Sequence, residues 1–133
     1  MSELDGTVID RFYAGLASGD LDAALACTTP DMRTWHCFDG IVQDREQCLV
    51  GWRSMVENLP ERAFVDVRRH AIPGGFVQQH MMAAKTSAGT IMAWPVCMLI
   101  WLENGLIARI DEYIDRAGRF TMADLHAATT PGL

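Results

Sequence analysis

The sequence has no apolar stretch long enough to cross a bilayer. Its longest, Ile91 to Leu102, falls short of the ~20 residues a spanning helix needs and is broken by Pro95. It reads as a buried strand, and no membrane is expected as a partner. Positive charge is also scarce: 11 Lys and Arg stand against 17 Asp and Glu, a net charge of −6. A phosphate backbone demands a basic face, so the balance argues against a nucleic-acid partner. The N-terminal Met1-Ser2-Glu3-Leu4-Asp5 is acidic and lacks the apolar core of a secretory leader, which points to the cytoplasm. No C-x-x-C occurs. The four cysteines, Cys27, Cys37, Cys48 and Cys97, match no zinc spacing, and each lies in an apolar stretch as a buried reduced thiol would. There is no P-loop, no G-x-G-x-x-G and no G-x-S-x-G. No ligand pair has i, i+4 helical or i, i+2 strand spacing, so neither metal nor cofactor is expected. Repeats, linkers and low-complexity segments are missing as well, leaving one domain over residues 1–133.

What is present is a change of period. Leu4, Val8, Phe12 and Leu16 recur every four residues and predict an amphipathic helix over 3–17, ended by Gly19. Asp20 caps a short second helix that stops before Pro30. Residues 31–38 read as a strand leading into the turn pair Asp39-Gly40. Asp44 and Gln47 form a capping box for a third helix through Leu49, Trp52, Val56 and Leu59, reaching about Asn58. Four extended segments then follow at 63–72, 75–86, 90–103 and 106–115, separated by short glycine-containing breaks that suit antiparallel hairpins. The tail, 121–128, carries a weak T-x-x-D cap and reads as a last helical turn or two. A meander has one face to cover, and three amphipathic helices are available to cover it. The expected fold is α+β: a curved antiparallel sheet with N-terminal helices, forming a cone around a mostly apolar pocket.

Three strings carry a resemblance. Phe12–Asp22 (Phe-Tyr-Ala-Gly-Leu-Ala-Ser-Gly-Asp-Leu-Asp) resembles the helix, Gly-Asp and second helix of the nuclear transport factor 2-like superfamily. Gly105–Asp115 (Gly-Leu-Ile-Ala-Arg-Ile-Asp-Glu-Tyr-Ile-Asp) resembles its final strand, and Trp35-His36 with Asp39-Gly40 resembles its first. This is the cystatin-like α+β barrel of ketosteroid isomerase, limonene epoxide hydrolase, scytalone dehydratase and the SnoaL-like cyclases. It hosts several reactions and also non-enzymatic binders. The resemblance places the isomerase's general base on His36, its oxyanion tyrosine on Phe12 and its oxyanion aspartate on Cys97. Phenyl donates no hydrogen bond and a thiol donates weakly. Tyr13 stands about 100° around the helix from Phe12. The epoxide hydrolase comparison retains Glu112 but puts Gln79 and Met81 where its arginine and second aspartate belong.

Strand alternation sharpens these positions. Glu112 lies between Ile110 and Ile114 on one face, where burial raises a carboxyl pKa towards that of a useful acid. Pairing with a neighbouring charge such as Arg109 is the structural alternative. His36 shares its face with Thr34 and Phe38, and an imidazole titrates near neutrality without tuning. His80 sits in a polar trio, Gln78-Gln79-His80, inside an apolar strand; the parity of that strand is open. Asp39 either orients a histidine or caps the turn. Catalytic roles are therefore expected of His36, Glu112 and His80, with Phe12, Thr34, Trp52, Cys97, Gln79 and Asp39 around the ligand. The expected function is cofactor-free acid/base chemistry of isomerase, dehydratase or cyclase type on a small hydrophobic molecule. A non-catalytic binder of hydrophobic ligands and a dimeric assembly module stand as alternatives. A homodimer through the outer sheet face is expected in either case.

Overall fold

The first helix, α1 (Thr7–Ser18), starts later than its periodicity predicts because the Asp5 carboxylate takes the Thr7 amide and Gly6 is the N-cap. Val8, Ile9, Phe12 and Leu16 form its buried stripe. Gly19 ends it in the left-handed conformation, φ 84°, which glycine adopts without steric cost. A computed structural model provides this description for residues 4–117, 120–122 and 125. Asp20 caps α2 (Leu21–Ala26) by accepting from the Ala23 amide. The two short helices touch at Gly15, where a Cβ would stand 2.9 Å from the Ala24 nitrogen.

Strand β1 (Thr28–His36) begins and ends earlier than expected and contains Pro30; its register shifts between Thr28 and Arg33, as a residue without an N–H requires. The Asp39-Gly40 turn leads to β2 (Val42–Gln43), a two-residue strand with no pattern to announce it. The Asp44/Gln47 capping box opens α3 (Arg45–Asn58). The meander follows as β3 (Arg62–Ile72), β4 (Gly75–Lys85), β5 (Ile91–Glu103) and β6 (Leu106–Ile114), within a residue or so of the predicted bounds. Phe120–Met122 form β7, which pairs with β5. Thr121 and Met122 are thus strand, not helix; apart from residue 125, the rest of the expected tail helix lies outside the described residues.

The sheet order is β2-β1-β6-β5-β4-β3, with β7 on β5. All pairs are antiparallel except β1 with β6, which run parallel, so the curved sheet is mixed and open rather than wholly antiparallel. Hairpin signals report neighbours in sequence; they carry nothing about a first strand joining the last. Bulges bend the sheet in β3, where Asp66 has φ 53°, and between β5 and β6.

Register defines the faces. One row across the inner face reads His36, Glu112, Met98, Gln78, Arg69. The row below reads Thr34, Ile110, Ile100, Phe76, and the row above Ile114, Val96, His80. Helix α1 covers this face. Its Val8, Ile9 and Phe12 join Met98, Ile100, Ile107 and Ile110 in one apolar core. Arg62 fixes α1 to β3 from below, donating from Nε and Nη2 to the Leu16 carbonyl and from Nη1 to that of Leu59. No helix among the described residues is long and apolar enough to cross a membrane.

Candidate active site

Two parallel neighbours, β1 and β6, bring His36 and Glu112 side by side. His36 Nε2 lies 3.8 Å from Glu112 Oε2, and the side chains are 21% and 24% exposed. The other imidazole nitrogen, Nδ1, is buried without a hydrogen-bond partner. Burial pushes the Glu112 carboxyl above its usual range, and the neighbouring His36 opposes that shift by favouring the carboxylate. Arg109 turns to the other face and binds Asp111.

Met98 is the next residue in the row, and it meets the tyrosine of α1. Tyr13 Oη donates to Met98 Sδ at 2.8 Å. Burial, reinforced by the Glu112 charge, holds the phenol well above its ordinary pKa, so it stays protonated. A thioether is a weak acceptor, so this O–H remains free to serve a better one.

On the far side of Tyr13 stands His80, 4% exposed. Its ring packs edge-on against Tyr13 at 5.0 Å and Phe64 at 5.2 Å. Burial pushes it down to about 4, so this imidazole is neutral at physiological pH. Nδ1 lies 3.2 Å from Gln78 Nε2, Gln78 Oε1 accepts from Arg69 Nε at 2.9 Å, and Arg69 reaches Asp10 on α1. The parity of β4 is thereby resolved, with Gln78, His80 and Met82 inward.

The ligand-side residues divide. Phe12 is core, packed on Tyr13 and Trp52 at 5.0 and 5.4 Å. Trp52 is half-buried behind it. Thr34 is buried one row below His36, its hydroxyl 3.0 Å from Cys48 Sγ. Asp39 caps its turn by accepting from the Ile41 amide and is exposed. Cys97 and Gln79 need correction. They pair with each other and with Tyr113, so alternation puts them on the outer face, opposite Glu112. In both helix and strand the carried-over position is one residue off: Tyr13, not Phe12, and Met98, not Cys97, face the site. Arg69, Gln78 and Asp10 were also missed. Gln78 stood in a polar trio inside an otherwise apolar strand and Arg69 in an arginine pair on β3, whereas no signal marked Asp10. Among the described residues no three His, Cys, Asp or Glu side chains are grouped as metal ligands.

With this geometry in place, comparison decides the family. A profile of the SnoaL-like domain matches residues 9–110. The chain belongs to the SnoaL-like domain family. Its fold is that of the nuclear transport factor 2-like superfamily. IdmH of Streptomyces antibioticus, whose polyketide cyclase assignment is provisional, superposes on the SnoaL-like chain with TM-score 0.75 at 16% identity, covering 83% of this chain and 91% of that one. A provisional polyketide cyclase of Pseudomonas putida gives 0.70 at 15%, covering 86% and 94%. A ketosteroid isomerase-like protein of Catenulispora acidiphila, solved with trimethylamine, gives 0.69 at 12%, covering 80% and 83%. At such identities the likeness is one of fold. No curated protein matches the sequence.

Proposed function

We propose that this SnoaL-like protein is a cofactor-free acid/base enzyme acting on a small hydrophobic molecule that carries a carbonyl group. The observation that carries this reading is the His36–Glu112 pair, 3.8 Å apart and part-buried on the inner face. His36 takes a proton from the carbon beside the carbonyl. The C–H electrons move onto the carbonyl oxygen, which the Tyr13 O–H stabilises. Glu112, whose carboxyl burial pushes above its usual range, acts in its protonated form and returns a proton at another carbon or at a leaving oxygen. The imidazolium then reprotonates the adjacent carboxylate, and the pair is restored. Phe64, Met82, Trp94, Val96 and Ile114 supply an apolar lining on the same face. In an isomerase the proton returns to another carbon of the enolate; in a dehydratase it goes to the leaving oxygen as the C–O bond breaks. In a cyclase the enolate carbon bonds to a second carbonyl carbon, whose C=O π bond opens and whose oxygen takes the proton.

Turnover and affinity on a panel of cyclic ketones and epoxides test this, with His36→Ala and Glu112→Gln beside the wild type. Loss of turnover with affinity kept supports the pair as chemical groups. Binding of an apolar ketone with no turnover in any form favours the binder instead.

The same reading includes a cytoplasmic homodimer. All four cysteines are free, as a reducing compartment would keep them. The outer face carries Trp35 against Tyr113, ring centroids 5.2 Å apart, with Tyr113 49% exposed. A sedimentation mass of twice 14.8 kDa, halved in Tyr113→Arg, is the expected result.

A further inference from the structure

The chain from Asp10 through Arg69 and Gln78 to His80 has a direction, set by chemistry. An arginine Nε only donates, so Gln78 must turn its carbonyl oxygen to Arg69. Its amide nitrogen therefore faces His80, and an amide N–H only donates. Nδ1 of His80 must accept, and the ring proton of a neutral imidazole then resides on Nε2. Arg69 is held in place in turn by the Asp10 carboxylate. Nε2–H is left with no acceptor among the described residues. It sits on the ring that packs on Tyr13 and Phe64, one row above the His36–Glu112 row.

We propose that His80 is a fixed hydrogen-bond donor rather than an acid or base, locked in its Nε2–H tautomer by Gln78 and Arg69, and that it selects ligands bearing an acceptor oxygen. This rests on the function proposed above and narrows its substrate class: a hydrophobic ketone or aldehyde is favoured over the matching hydrocarbon. Gln78 and Arg69 are positioning residues that act through His80. Burial supports the assignment, since it keeps the ring neutral across the physiological range. The groups packed on the ring are Tyr13 from α1, Phe64 from β3 and Gln78 from its own strand; among these, none bears a charge at neutral pH.

Ring nitrogen NMR spectra of the labelled chain at neutral pH, with decalone and its parent hydrocarbon decalin as probes, test the proposal. The wild type is expected to show His80 neutral with its proton on Nε2. Decalone should move that resonance and bind about tenfold more tightly than decalin, the worth of one good hydrogen bond. Gln78→Glu gives Nδ1 an acceptor in place of a donor, so it should place a proton on Nδ1. Gln78→Leu should erase most of the ketone preference. An Nδ1–H pattern in the wild type overturns the tautomer lock. So does an unchanged ring pattern in a folded Gln78→Glu chain. Failure of decalone to outbind decalin, or binding that leaves His80 unmoved, overturns the donor role. The proposed enzyme fails separately: a correct Nε2–H pattern with no turnover by the wild type leaves the donor site standing and removes the catalyst.

Discussion

Two histidines share the inner face of one sheet and have opposite properties. On the β1–β6 flank His36 faces a carboxylate and is one-fifth exposed. On the β3–β4 flank His80 faces an amide, is almost fully buried and is pushed down to about 4. The ring is the same; the partner and the water differ. A carboxylate beside an imidazole favours proton exchange between the two, whereas an amide inside an aromatic cage fixes the ring in one neutral form. In the proposed function one flank moves a proton and the other holds a ligand, with Tyr13 between them touching Met98 on one side and His80 on the other.

The largest expected effect breaks the first flank. His36→Ala or Glu112→Gln should each lower kcat by about 10²–10⁴, and the double variant should be scarcely worse than the weaker single, because groups that act as one unit are not additive. Independent losses that multiply in the double variant would separate the pair.

The next prediction concerns acid stability and isolates the second flank. His80 is depressed in the folded chain, so the unfolded chain binds its proton first as pH falls. Its contribution to stability is intact above pH 6.5 and is lost between 6.5 and about 4, a span worth about 3 kcal/mol. Glu112 runs the other way. Its raised pKa favours the folded chain in acid, and that advantage is lost as pH rises through its folded-state pKa. Denaturant titrations of wild type and His80→Phe across this range should show a shallower acid loss in the variant. Equal slopes would mean that His80 titrates in the folded chain much as it does in the unfolded one.

Smaller still is Tyr13→Phe. Its O–H is spent on a thioether, so stability should change by less than about 1 kcal/mol. Turnover should fall by about 10²-fold if the phenol stabilises the developing oxyanion. Denaturant midpoints and kcat measured on the same preparation check this. A large stability loss with kcat unchanged would make Tyr13 a packing residue.

Much of this was legible in the sequence because it depended on local chemistry. The capping box at Asp44/Gln47, the Gly19 stop and the glycine-containing turns between strands are short-range signals, and they placed α3 and the meander closely. The His36–Glu112 pairing depended on which strand neighbours which, and the parallel β1–β6 contact has no hairpin to announce it. Gln79 and Cys97 were misassigned for a related reason: a one-residue shift turns a strand side chain to the other face. The relay behind His80 joins residues 10, 69, 78 and 80 across α1, β3 and β4, a contact no local pattern encodes.

Solvent deuterium exchange at the carbon beside the carbonyl of decalone tests the central claim most directly, because it reads proton abstraction without knowledge of the natural substrate. Exchange faster than in buffer is expected with the wild type, reduced by about 10²–10⁴ in His36→Ala and in Glu112→Gln. Exchange at the buffer rate with decalone demonstrably bound, or equal rates in wild type and both variants, would contradict it.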